Sequence, residues 1–176
     1  MQKKIRSRNA VCCALLTLFL FGGTAYGLSE QEMTQEQRSA MLGDWKPLRV
    51  KGDAIPWNIF AETKEISKKR IFPDGGYTFD ISPQYGEAIK KLDGKEVTLM
   101  GFMFPLEQSE NQKNFLIGPY PLTCPFHYHV GPTQTVEVLA KEPFDFSYDP
   151  ITIKGTLSVR FNKETGVFYY LENAHK

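Results

Sequence analysis

The stretch Gly94-Lys95-Glu96-Val97-Thr98-Leu99-Met100-Gly101-Phe102 decides the fold class of this 176-residue chain. From Glu96 onward the apolar residues recur with a period of two, which predicts a β-strand. The other face of this strand is also partly apolar, at Met100 and Phe102. We therefore expect the strand to be covered on both sides.

A second alternating stretch runs from Ile151 to Phe161, with Gly155 where a bulge or a barrel corner is expected. Shorter strands are predicted at 115–117, 134–140 and 167–171. Five short strands with glycine at the bends predict a mainly β chain. We expect a small five-stranded OB-like barrel, with a small β sandwich as the alternative.

Other segments are predicted from local signals. Ser82-Pro83 is expected to begin a short helix that ends at Leu92-Asp93-Gly94, with Gly94 in the left-handed conformation. We expect the charged run 64–70 to form a solvated face and the acidic, aromatic segment 141–150 to form a loop.

The N-terminus has the layout of a secretory signal peptide over residues 1–27. Four cations precede an apolar run from Ala10 to Phe21, and small residues lead to Ala25-Tyr26-Gly27. The apolar run is shorter than the roughly 20 residues of a membrane-spanning helix. The expected location is therefore periplasmic or secreted, and an uncleaved anchor is the alternative.

Residues 28–54 are predicted to form a helical arm and linker, and residues 55–176 a single β-barrel domain. Ser29-Glu30-Gln31-Glu32 is a capping-box pattern for the arm, whose helix is expected to end near Met41.

Without the leader, the chain contains 17 Lys and Arg and 20 Asp and Glu, a net charge of about −3. This balance argues against a nucleic-acid partner. The sequence after the leader contains no other long apolar segment, so we expect no stable membrane insertion after cleavage of the signal peptide.

The segment Cys124-Pro125-Phe126-His127-Tyr128-His129 concentrates the residues with special chemistry. Cys12 and Cys13 lie in the leader, so Cys124 is the one cysteine of the mature chain. An unpaired cysteine in an exported protein suggests an intermolecular bond, a reactive thiol or a metal ligand. A buried cysteine that acts as a small apolar residue is the alternative.

Metal binding is the preferred hypothesis for this segment. On an extended backbone, His127 and His129 project from the same side, with Cα atoms about 6.6 Å apart. Together with the Cys124 thiolate they suit zinc or copper rather than calcium or magnesium. Three ligands leave a fourth position open, for which the candidates are water, Met103, Glu107 or His175.

Two further hypotheses come from other classes of protein. In the first, the loop is purely structural and the chain is a non-catalytic interaction module that docks onto an envelope protein or transport complex. In the second, Cys124-Pro125-Phe126-His127 acts as a single-thiol redox site, because a neighbouring imidazolium lowers the pKa of a thiol. No phosphate-binding glycine loop, G-x-S-x-G or H-E-x-x-H motif supports an enzyme, and no catalytic residue is predicted.

Several motifs resemble the bacterial exported domain-of-unknown-function family 3299, over about residues 55–172. They are Leu92-Asp93-Gly94-Lys95, Val97, Leu99, Gly101-Phe102-Met103, Pro105-Leu106-Glu107, Phe115-Leu116-Ile117, Pro119-Tyr120, Cys124 with a following histidine, Pro132, Gln134 and Val136. The resemblance implies a small exported β domain and no particular activity.

The Cys/His segment departs from the pattern of that family. The family pattern has one residue between cysteine and histidine, followed by a proline run and an Asn-Gln pair. This chain has Pro125-Phe126 before His127, adds His129, lacks the proline run and has Thr133 before Gln134. Any special chemistry of this segment therefore rests on its own residues.

Overall fold

A computed structural model of the chain describes residues 46–122 and 130–176. Within these residues it contains two short α-helices, one 3-10 helix and seven β-strands. In chain order they are α1 (Trp57–Ala61), β1 (Lys64–Ile71), β2 (Tyr77–Gln84), α2 (Glu87–Lys90), β3 (Glu96–Pro105), β4 (Asn111–Gly118), the 3-10 helix (Pro132–Gln134), β5 (Val136–Asp145), β6 (Ile151–Ser158) and β7 (Tyr170–His175).

Strands β3 to β7 form a closed barrel in the order β3-β4-β5-β7-β6, and β6 returns to β3. The β5–β7 pair is parallel, whereas the other neighbouring strands are antiparallel. The predicted small five-stranded OB-like barrel is confirmed. The sandwich alternative is excluded because one sheet closes on itself.

The inward face of β3 carries Val97, Leu99 and Met103, all buried as their period of two predicts. The opposite face of β3 is half-buried, at Met100 and Phe102 among others. Helix α1 packs against the barrel, and the indole Nε1 of Trp57 donates a hydrogen bond of 2.8 Å to the Met100 carbonyl. Both faces of β3 are thus covered.

Gly155 lies at a bulge, as expected, because the β6–β7 register shifts between Lys154 and Thr156. A Cβ atom at Gly155 would lie 2.8 Å from the Glu172 carbonyl oxygen and 2.8 Å from Leu171 Cγ. The close approach of β7 therefore requires glycine at this position.

Several predicted element bounds are wrong. Ser82 and Pro83 belong to β2, paired with Ile66 and Glu65, and the helix begins only at Glu87. The expected left-handed conformation of Gly94 is confirmed, with φ +71°. Cross-strand pairing outweighed the local helix-start signal of Ser82-Pro83.

The barrel strands also differ in length from their predictions. A loop was expected from residue 141, but strand β5 continues to Asp145. The strand continues because buried Phe144 pairs with Gln112 of β4. Strand β4 is longer than 115–117, and β7 begins at Tyr170 rather than at residue 167. The predicted arm helix, from Ser29 to Met41, lies outside the described residues.

The charged run 64–70 is exposed, as expected, apart from half-buried Glu65, and it forms most of β1. Strand β1 pairs with β2 from Lys64↔Gln84 to Ile71↔Tyr77, and the two strands form a separate sheet, here called the ribbon. In the described parts of the chain, none of the helices has the length and apolarity needed to cross a bilayer.

Candidate functional site

The predicted metal ligands Cys124, His127 and His129 lie outside the described residues, so this site stays a prediction. The chain is well anchored on both sides of them. Before them, Tyr120 is buried and the Pro119 carbonyl accepts a 2.9 Å hydrogen bond from the Leu48 amide. After them, Val130 is buried.

The three candidates for a fourth ligand have different environments. Met103 is only 2% exposed and belongs to the barrel core. The Glu107 carboxylate is exposed and accepts a 3.1 Å hydrogen bond from the Lys113 amide. His175 is half-buried at the end of β7, with Nδ1 3.2 Å from the Asn173 carbonyl oxygen. In the described part of the chain, no three His, Cys, Asp or Glu side chains form a group able to hold a metal ion.

A groove of about 910 Å³ lies between the ribbon and the barrel, and we call it the ribbon groove. Its volume lies within the range of natural ligand sites. The ribbon, strand β4, the segment after residue 129 and the β6–β7 connection all contribute to its walls. The side chains on the barrel side include Leu116, Val130, Pro132, Thr135, Phe161 and Phe168.

Strand β2 borders the groove with its edge. It contributes the four consecutive residues Phe79 to Ser82, whereas β1 contributes the alternate residues Lys68 and Arg70. Since successive side chains of a strand point to opposite faces, a run of four consecutive lining residues is typical of a groove that follows a strand edge. Among the described residues β2 pairs with β1 alone, so the other edge of β2 has backbone groups without a strand partner.

The ribbon groove has mixed charge. Lys68, Arg70 and Lys163 contribute cations, and Asp80 and Glu164 contribute carboxylates. Arg70 and Asp80 form an exposed ion pair with a nitrogen–oxygen distance of 2.8 Å. Within the described residues, neither Lys68 nor Lys163 takes part in a salt bridge.

The wall from 161 to 168 is held in place by buried aromatic contacts. The rings of Phe161 and Phe168 meet edge to face, with centroids 5.4 Å apart. The Tyr85 hydroxyl donates a 3.0 Å hydrogen bond to the Phe168 carbonyl. Burial, with a smaller contribution from the Asp93 carboxylate, raises the pKa of Tyr85 to about 12. This hydroxyl therefore stays protonated and keeps donating at neutral pH.

Val130, which follows His129 in the sequence, lines the groove wall.

The ribbon edge was not predicted from the sequence. The available signal was Pro73-Asp74-Gly75-Gly76, a turn pattern followed by alternating Tyr77, Phe79 and Ile81. Turn residues next to such an alternation are typical of a β-hairpin.

The fold and the groove define a class: a small closed β-barrel with a two-stranded ribbon beside a ligand-sized groove. The chain belongs to the DUF3299 family, described as "Protein of unknown function (DUF3299)", whose profile matches residues 45–175. The family resemblance of the sequence is thereby confirmed.

A crystal structure of a DUF3299 family protein from Pseudomonas aeruginosa PAO1 is similar to this chain, with 32% sequence identity and a TM-score of 0.41. The match covers 49% of this chain and 62% of that chain, so it spans less than two-thirds of the Pseudomonas protein. No curated protein matches the chain.

Proposed function

We propose that this chain is a non-catalytic interaction protein of the cell envelope that binds an extended polypeptide segment of a partner in the ribbon groove. The observation that carries the proposal is the edge of β2, which borders a groove of about 910 Å³ and has no strand partner among the described residues. An exposed strand edge offers backbone donors and acceptors to an added strand. The predicted signal peptide supports an envelope location.

The groove suits strand addition in size and chemistry. Four residues of β2 border it, about 13 Å of edge, which matches an added strand of about four residues. Side chains on one face of that strand would contact the apolar wall at Val130, Pro132 and Phe161. The backbone hydrogen bonds give affinity, and the wall gives selectivity for apolar residues at alternate positions.

Photo-crosslinking in producing cells tests this proposal. A photoreactive amino acid at Ser82, on the groove edge of β2, is expected to give a discrete adduct with a partner polypeptide. The matched control is Ser67, an exposed residue of β1 that does not line the groove. Equal adducts from both positions, or none from Ser82, would contradict binding at the edge of β2.

A second candidate function is the binding of zinc or copper by Cys124, His127 and His129. It is favoured by the spacing of these residues and by the position of Val130 in the groove wall, next to His129 in the sequence. Among the possible fourth ligands, Glu107 and His175 are more accessible than Met103, which belongs to the buried core.

Metal analysis of protein purified from its native compartment tests the second candidate. Stoichiometric zinc or copper is expected in the parent and is expected to be lost in Cys124→Ala. Met100→Leu, at a half-buried methionine that is not a candidate ligand, is expected to retain the metal. Equal trace metal in the parent and Cys124→Ala would eliminate the site. A thiol pKa well below the roughly 8.5 of free cysteine, measured by alkylation rate in metal-free protein, would instead favour the redox hypothesis.

A further inference from the structure

The turn end of the ribbon exposes three large apolar side chains. Ile71 is 68% exposed, Tyr77 57% and Phe72 41%. Ile71 and Tyr77 form the last cross-strand pair of the ribbon, and Phe72 begins the turn that joins the strands. We call these three residues the tip patch. Contiguous exposed apolar residues often mark a site that contacts another protein or a membrane.

Cations accompany the rings of the tip patch. The Lys69 ammonium lies 4.1 Å from the centroid of the Tyr77 ring, and the Arg70 guanidinium carbon lies 5.6 Å from that of Phe72. The carboxylate of the turn, on Asp74, accepts a 2.9 Å hydrogen bond from the Gly76 amide. With Lys68, Lys69 and Arg70 against Asp74 and Asp80, the turn end of the ribbon carries a net charge of +1 beside its apolar side chains.

We infer that the tip patch docks the protein onto a bilayer surface that carries anionic phospholipids. A hairpin end is narrow and convex, so a protein partner would need a pocket to receive it, whereas a bilayer takes an apolar tip without one. Aromatic rings favour the interfacial layer of a membrane, and neighbouring Lys and Arg side chains favour anionic headgroups. Charge complementarity thus selects an anionic bilayer over a neutral surface.

The tip patch and the ribbon groove are distinct surfaces that meet at Arg70, which lies beside the Phe72 ring and also lines the groove. None of the three tip-patch residues lines the groove, and neither does Lys69. The groove residue of β2 nearest the turn is Phe79, two positions from Tyr77 and about 7 Å along the strand. Variants at Ile71, Tyr77 and Lys69 therefore test membrane docking without changing a residue that lines the groove.

Vesicle co-sedimentation of the purified protein tests the inference. The protein is expected to sediment with vesicles of phosphatidylcholine mixed with phosphatidylglycerol, and not with vesicles of phosphatidylcholine alone. The double variant Ile71→Ser/Tyr77→Ser is expected to lower the partition coefficient about tenfold or more. Lys69→Gln is expected to lower it about fivefold at low salt. The matched control is Tyr148→Ser, which removes an aromatic side chain that is 76% exposed outside the ribbon and leaves binding unchanged.

A Tyr77→Trp variant supplies a second readout that does not depend on sedimentation. Its indole emission is expected to shift to shorter wavelength with the anionic vesicles only, after subtraction of the emission of Trp45 and Trp57 recorded with the parent protein and the same vesicles. Equal binding of parent and double variant, or equal binding to neutral vesicles, would overturn the inference. So would self-association that the double variant abolishes, because a second copy of the chain would then cover the patch. Loss of the Ser82 crosslink, in contrast, concerns only the ribbon groove.

Discussion

Gly101 is where the barrel wall and helix α1 approach most closely. A Cβ atom there would lie 2.7 Å from the Gly118 carbonyl oxygen, 2.8 Å from Ile117 Cγ1 and 3.0 Å from Trp57 Cζ2. The first of these is a backbone atom, which side-chain rotation cannot move. A glycine is therefore needed in the middle of a strand whose other positions favour large apolar residues.

Gly101→Ala is expected to lower the free energy of unfolding by about 1 to 3 kcal/mol, because the added methyl overlaps β4. Urea denaturation followed by circular dichroism measures the loss. Gly76→Ala is the matched control, since its Cβ would meet only side-chain atoms, of Asp74 at 3.2 Å and of Phe72 at 3.6 Å, in an exposed turn. A smaller loss at Gly101 than at Gly76 would contradict the packing argument.

Tyr85 makes the free energy of unfolding depend on pH in the alkaline range. Its folded pKa of about 12 exceeds the ordinary value of 10, mainly because burial disfavours the phenolate. The stabilisation is fully present below pH 10 and is lost as the pH rises through 12, since the unfolded state releases the proton first. Burial also raises the pKa of Tyr120 and Tyr169, in the same direction.

Tyr85→Phe is therefore expected to lose stability less steeply than the parent between pH 10 and pH 12. Its unfolding releases up to one proton fewer in this range. Urea midpoints measured at several pH values test this expectation. Parallel slopes for the parent and Tyr85→Phe would show that Tyr85 ionises equally in both states.

The ribbon and the barrel differ in how deeply their side chains are buried. The ribbon is a two-stranded sheet with mostly exposed side chains, whereas the barrel strands enclose a buried core. Two strands alone are marginally stable in water. Local opening of the ribbon is therefore expected to cost much less free energy than opening of the barrel.

Hydrogen–deuterium exchange tests this difference. Amides of Lys64–Ile71 and Tyr77–Gln84 are expected to exchange at least about a hundredfold faster than those of β3 and β6. The barrel strands serve as the internal control in the same sample. Equal protection of ribbon and barrel would mean that the ribbon is held by contacts other than its own pairing.

Local pattern predicted the existence of the barrel strands better than their ends. Strand β6 was predicted from the alternation of Ile151, Ile153 and Leu157, and its bulge from Gly155. Strand β2 was missed at Ser82-Pro83, because a helix-start signal depends on neighbours in sequence and pairing with β1 depends on residues about 16 positions away. Strand ends are decided by the partner strand, which local pattern does not reveal.

The whole molecule depends on β7, because this strand closes the barrel between β5 and β6. Deletion of Tyr170–Lys176 removes buried Leu171 and Ala174 and opens two strand edges. The truncated chain is expected to lose cooperative unfolding, measured by circular dichroism during thermal or urea denaturation. A cooperative transition in the truncated chain would contradict this role of β7.

A trimmed ribbon is the matched comparison at the same scale. Replacing Lys69–Phe79 by Asn-Gly joins the paired residues Lys68 and Asp80 through a two-residue turn. The barrel is expected to stay folded, with less than about 1 kcal/mol lost, because the removed residues are exposed or only half-buried. Loss of the cooperative transition would show that the barrel needs the whole ribbon.

Hydrophobic period and residue type, which are local, predicted a mainly β chain, a glycine that interrupts β6, and a thiol and two imidazoles close together in sequence between Cys124 and His129. They left a barrel and a sandwich open. Tertiary packing alone selected the closed barrel, the parallel β5–β7 pair and the position of the β2 edge beside a groove. Strand pairing joins backbone groups that are nearly the same in every residue, so partners distant in the chain are selected by how the whole core packs.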